Sequence, residues 1–122
     1  MPRFVLAPAA AVDIESILAW SHEHFGEEAR RRYEALILKA ILDVAERPDR
    51  AGVQNRPEIA SDARTYHLCY SRHRGAAGIG SVKEPRHFLL FRPRADGAIE
   101  IGRVLHDSMD LSRHLPEGYR SS

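Results

Sequence analysis

Ile-Glu-Ile-Gly-Arg-Val-Leu-His-Asp-Ser-Met-Asp-Leu-Ser-Arg-His-Leu, residues 99–115, sets the frame for the rest of the chain. Ile99, Ile101 and Leu105 recur at the two-residue interval of a strand with one buried face. Arg103 shares their parity, so a regular strand aims its charge at the same face. Gly102 is a residue type at which a bulge can reset the alternation. Without a bulge, Arg103 is a partly buried cation with a carboxylate partner. Beyond His106 the chain enters a polar turn, Asp107-Ser108-Met109-Asp110, before Leu111 and Leu115.

Asp96-Gly97 is a hairpin turn signal, which makes residues 98–105 the second arm of a hairpin. The first arm, 87–92, contains Phe88, Leu89, Leu90 and Phe91 in an unbroken run, as in a strand covered on both faces. Residues 64–71 alternate Tyr66, Leu68 and Tyr70 against His67, Cys69 and Ser71, and read as a third strand. Between them, 72–86 carries Gly75, Gly78, Gly80 and Pro85 and reads as a long hairpin connection. It is no phosphate loop, since no lysine follows Gly80 and no strand-to-helix context surrounds it. Residues 49–63, with Gly52 and Pro57, read as a loop.

The N-terminal half is helical. Residues 3–7 form a short first strand, and Pro8 suits a first helical position. Ala7 offers no side-chain cap, so packing must hold the helix start. Ile14, Ile17, Leu18, Ser21 and Phe25 then fall at helical spacing, and Gly26 stops the helix. Glu27 and Glu28 open a second helix, where their charge complements the amide dipole. Its stripe is Ala29, Tyr33, Leu36, Ile37, Ala40, Ile41 and Val44, and Pro48 ends it. So short a connection forces an antiparallel helical hairpin over 8–47. Trp20 reads as a packing residue, or alternatively as part of a partner groove.

At 122 residues with 43% apolar and 29% charged side chains, the chain is expected to be one globular domain, 1–122. A net charge of +1 gives no bulk attraction to nucleic acid. Locally, Arg72, Arg74, Lys83, Arg86, Arg92 and Arg94 face only Glu84, either a patch for an anionic partner or solvated strand ends. Cys69 stands alone, which excludes an internal disulfide and fits a reducing cytoplasm; its strand position reads as a small core residue. No apolar run reaches the roughly 20 residues of a membrane span. The apolar start is interrupted by Pro8 and runs into Asp13 and Glu15, so it is not read as a signal peptide. His22 and His24 cannot share a helix face, and His67, His73, His87, His106 and His114 are scattered. No metal and no cofactor are expected.

Ala-Glu-Arg-Pro at 45–48, Arg64 opening a strand that runs to Tyr70, and Arg-Val-Leu-His at 103–106 followed by Asp110 resemble the ParE branch of the ParE/RelE toxins. The resemblance extends over about residues 4–115, although the 72–86 connection is longer than usual there and Met109 stands where arginine is common. It implies an α+β fold, with an N-terminal strand and antiparallel helical hairpin packed on one face of an antiparallel β-meander. It also implies the toxin of a type II toxin–antitoxin pair, of the plasmid-stabilization kind. Such a toxin is neutralised by a ParD-like antitoxin and poisons DNA gyrase by binding it. By resemblance, target contacts fall on Arg103, His106, Asp110 and Arg113, within the last strand and the C-terminal tail, 107–122. Antitoxin contacts fall on Trp20, Tyr33, Leu36 and Phe88. The helical hairpin is also open to a homodimer or a toxin–antitoxin hetero-oligomer. The RelE branch supplies the alternative, a ribosome-dependent messenger RNA endoribonuclease. Arg64 and Arg103 would then be phosphate cations, His106 an acid or base and Glu58 a second such group. The near-neutral charge argues against it, because docking into ribosomal RNA favours a strongly basic surface.

Overall fold

Helices α1 (Pro8–Phe25) and α2 (Glu27–Glu46) cover one face of a five-stranded sheet in the computed structural model, which describes residues 3–72 and 82–109. The strands are β1 (Phe4–Leu6), β2 (Gln54–Asn55), β3 (Arg64–His67), β4 (His87–Pro93) and β5 (Ile99–His106). Their order is β1-β5-β4-β3-β2, with β1 parallel to β5 and every other pair antiparallel. This is an α+β fold with a mixed sheet: the meander of the last strands is present, and β1 joins it beside β5.

The helix-side core unites Leu36, Ile37, Ala40, Ile41 and Val44 of α2 with Tyr66, Leu89, Phe91, Ile99, Ile101 and Val104 of the sheet. On the other face, Leu90 meets Ala60 and Ala63 from the loop before β3. Leu89, Leu90 and Phe91 are therefore all buried, as an unbroken apolar strand requires. No side chain caps α1. Instead the Ala7 N–H donates to the Ile101 carbonyl (2.9 Å), so sheet pairing fixes where the helix starts. Gly26, at φ +91°, is the whole connection between the helices, a conformation that glycine adopts without strain.

The strand β5 carries the bulge. Phe91 pairs with Ile101 and Leu90 with Arg103, which leaves Gly102 without a partner residue on β4. The alternation resets there: Ile101 and Val104 join the helix-side core, while Arg103 aligns with Leu90 and Thr65 of the opposite face.

Three local expectations are corrected. Strand β3 ends at His67 instead of running to 71, because residues Leu68–Ser71 wind into a 3-10 turn. The His67 Nδ1 accepts the Cys69 N–H (3.0 Å), and the buried Ser71 hydroxyl donates to Asp43 Oδ2 (2.6 Å) and bonds the Tyr66 hydroxyl (2.8 Å). The turn exposes Cys69, so it is not a core residue. The loop 49–63 contains β2, which pairs with Arg64 and Thr65.

Candidate functional site

At the end of the sheet where β4 begins and β5 finishes, α1 and α2 stand away from the strands and leave an open groove of about 830 Å³. Its walls are apolar: Ile17, Trp20 and Phe25 from α1, Ala29 and Tyr33 from α2, and Val82 and Met109 at the rim. Trp20 and Phe25 are 55% and 67% exposed, unusual for side chains of that size on a helix that also feeds the core. They meet edge to face at 5.6 Å, and Trp20 stacks on His24 at 4.2 Å. The groove therefore presents a preformed aromatic surface to solvent.

A hydrogen-bonded cluster lines the polar side. The Arg86 backbone N–H donates to the Tyr33 hydroxyl oxygen (3.0 Å), and the hydroxyl shares a hydrogen bond with His87 Nδ1 (2.6 Å). Burial, followed by the nearby His106, lowers the His87 pKa to about 4. Burial likewise raises the Tyr33 hydroxyl above its ordinary range. His106 meets His87 edge to face at 5.3 Å, and its Nδ1 accepts the Ser108 N–H (3.1 Å).

Just outside the lining, Asp107 gathers neighbouring side chains. Its carboxylate takes His67 Nε2 (3.1 Å) and Arg86 Nη2 (3.1 Å). Burial opposes ionisation there, yet the His67 hydrogen bond and the Arg86 charge outweigh it and hold Asp107 below the usual carboxylate range. The basic run is divided in the same way: Arg92 pairs with Glu100 (3.0 Å) and Arg94 with Asp96 (3.3 Å).

The residues expected from sequence are only partly brought together. Arg103 donates from Nε to Asp13 Oδ2 (2.7 Å) and from Nη2 to Asp13 Oδ1 (2.9 Å), while the same carboxylate accepts the Val104 N–H (2.9 Å). Asp13 thus stands over the edge of β5 past the end of β1, where a further strand would bond. The hydrogen bond to Asp13 is the main cause of the raised Arg103 pKa. Arg64 is committed elsewhere, donating to the Pro48 carbonyl (2.9 Å). Its partner Phe91 and His106's partner His87 lie four positions apart on β4, roughly 13 Å along the strand. The trio Arg64, Arg103 and His106 does not converge on one phosphate. Glu58 is exposed beside Arg56 (3.7 Å).

Of the expected antitoxin contacts, Trp20 and Tyr33 line the groove. Leu36 is a core residue, 6% exposed, and Phe88 pairs with His67 and Leu105 on the face turned away from the helices. Asp110, Arg113 and the rest of the tail lie outside the described residues. Sequence reading missed the Tyr33–His87 pair, Phe25 and Asp13. Only Asp13 left a signal, as an acid at the spacing of the buried stripe of α1.

A helical hairpin over a small mixed sheet, with an aromatic groove at the end of the last strand, defines a compact α+β molecule with an open apolar surface. The chain belongs to the ParE toxin family of type II toxin–antitoxin systems, parDE, which it matches over residues 4–111. It is 27% identical over 113 residues to Toxin ParE1 of Mycobacterium tuberculosis strain CDC 1551 / Oshkosh, covering 93% of this chain and 97% of the relative. Toxin ParE1 of strain ATCC 25618 / H37Rv matches at the same 27% over the same coverage. Among the described residues no group of three or more ligating side chains could hold a metal ion, and no helix is long and apolar enough to cross a membrane.

Proposed function

We propose that this toxin inhibits DNA gyrase by binding it, and that its antitoxin silences it by laying an amphipathic segment in the groove between α1, α2 and the end of β5. The observation that carries the antitoxin half is the exposed pair Trp20 and Phe25 on an apolar wall. Such a surface matches the helix-in-groove mode of recognition, in which apolar side chains at helical spacing anchor a partner. A segment that orders on binding must bury a wide surface to offset its lost entropy, and the groove extends along α1 from Ser16 to Phe25. Gyrase as the target rests on membership of the family and on the sequence pattern at 103–106. With Arg103 committed to Asp13, the target surface on this side falls to His106 and the chain after it.

The test is gyrase supercoiling with purified toxin, alone and after addition of its cognate antitoxin. Inhibition by the toxin and its relief by the antitoxin support the reading. Undisturbed supercoiling, together with cut messenger RNA on ribosomes, would transfer the protein to the endoribonuclease branch.

A further inference from the structure

We propose that two copies of this chain pair through the outward face of α2, in an antiparallel two-fold seam centred between Leu38 and Leu42. Arg31, Ala35, Leu38, Leu42 and Ala45 recur at steps of four and three residues, the interval at which one helix meets another along a single line. They lie away from the stripe that α2 buries on the sheet, Leu36, Ile37, Ala40, Ile41 and Val44. Leu38 and Leu42 are 48% and 37% exposed, a pair of large apolar side chains turned to solvent one helical turn apart. Ala35 and Ala45 flank them and are small enough to let a second helix approach. None of the five lines the groove, so the seam is a separate surface and stands apart from the antitoxin reading.

The charges at the two ends of the seam point to a second copy as its cover. Arg31 stands toward the N-terminal end of α2 and Glu46 is its last residue; both are exposed, and neither has an ion-pair partner among the described residues. The last turn of α2 holds no base, so the Glu46 carboxylate meets the negative end of the amide dipole uncompensated. Turning a second copy end for end about the middle of the seam sets Leu38 of one copy on Leu42 of the other, and Ala35 on Ala45. It also brings Arg31 to within about 5 Å of Glu46 of the other copy along the helix axis, three residues at ~1.5 Å each and inside the reach of an arginine side chain. The two-fold repeats that contact, as a self-complementary patch must. Other charges near the seam are engaged within each copy: Lys39 by Asp43 (3.0 Å) and Glu34 by Arg30 (3.2 Å). One helix from each copy places the contact in the weak class, under roughly 1,200 Å² of total buried surface, so the dimer belongs in the micromolar range.

Sedimentation equilibrium of the purified toxin alone, over a concentration series, tests this. The expected result is a monomer–dimer equilibrium with a micromolar Kd. Leu38→Lys should weaken it at least about tenfold, because the two-fold sets the new charge on apolar atoms in two places. Its circular dichroism and urea midpoint should stay near wild type, as for other surface substitutions. Arg31→Glu and Glu46→Arg should each weaken association by about fivefold, by facing like charges. The doubly exchanged chain, Arg31→Glu with Glu46→Arg, should recover the wild-type Kd, a restoration that only a contact between those two positions produces. A toxin that stays monomeric throughout, a dimer indifferent to Leu38→Lys, or a double exchange no tighter than either single one overturns the inference. So does a dimer that forms only after antitoxin is added, since the antitoxin then bridges the copies, or one abolished by Trp20→Ala alone, since the groove is then the contact.

Discussion

His87 carries its imidazole into the protein uncharged, and that has a consequence for stability. Its folded pKa is about 4 against an ordinary 6.5, with burial the main cause. Between those values the unfolded chain binds a proton that the folded chain refuses. Stability is therefore full above pH 6.5, falls as pH drops toward 4, and stops falling once both states are protonated. The integrated effect is about 3 kcal/mol, a large share of the stability of a small domain. Asp43 and Asp107 do not blur this window. In both, burial works against ionisation but is outweighed, by bonds from Ser71 and Lys39 in one case and by His67 and Arg86 in the other. The stability they supply is present above their ordinary value of 3.8 and is lost only as pH falls below it. Urea midpoints at pH 7.5 and 4.5 should differ clearly in the wild type. In His87→Leu the difference should shrink by about 2 kcal/mol, even though the variant starts lower for want of a partner to the Tyr33 hydroxyl. An undiminished difference would place the acid sensitivity elsewhere.

Strand β5 shows how far an element can be read from its residues. The parity conflict at Arg103 was visible in the alternation, and Gly102 was the residue able to resolve it. What the alternation could not supply was the partner. Asp13 is a second charge out of place, on the buried stripe of α1, and only the fold brings these two misfits together. Strand β3 shows the converse. Its apparent alternation to 71 is cut short by bonds from the His67 and Ser71 side chains, which a two-residue period does not register. Deleting Gly102 tests the bulge directly. Because Phe91 already pairs with Ile101 and Leu90 with Arg103, removing the unpaired residue leaves a continuous ladder in which Arg103 still aligns with Leu90 and Val104 with Leu89, and only the local bend and twist of the bulge are lost. The expected loss is about 1–3 kcal/mol in urea unfolding, with the fold retained by circular dichroism. A deletion variant that does not fold would show that the bend at Gly102 is needed as well as the register.

At the scale of the whole molecule, the side chains that hold the fold and those exposed in the groove are separated in space, although the sequence mixes them on the same two helices. Leu36 and Trp20 both occupy apolar positions of the hairpin and were both expected to meet the antitoxin; periodicity says that a residue is apolar on a helix, not which of two surfaces it faces. The structure places Leu36 in the core and leaves Trp20 and Phe25 in the groove wall. Two variants should then behave in opposite ways. Leu36→Ala opens a cavity among Ile37, Ala40 and the sheet, and should lower unfolding free energy by about 2–5 kcal/mol while the surviving folded protein still binds. Phe25→Ser removes a ring that is 67% exposed and should change stability by no more than about 0.5 kcal/mol. The same substitution should weaken antitoxin binding at least about tenfold, as truncation of a central aromatic anchor does. Urea unfolding and calorimetric titration on one preparation of each variant decide the matter. If Phe25→Ser unfolds the protein, the aromatic wall belongs to the fold; if it leaves affinity intact, the antitoxin docks on another face.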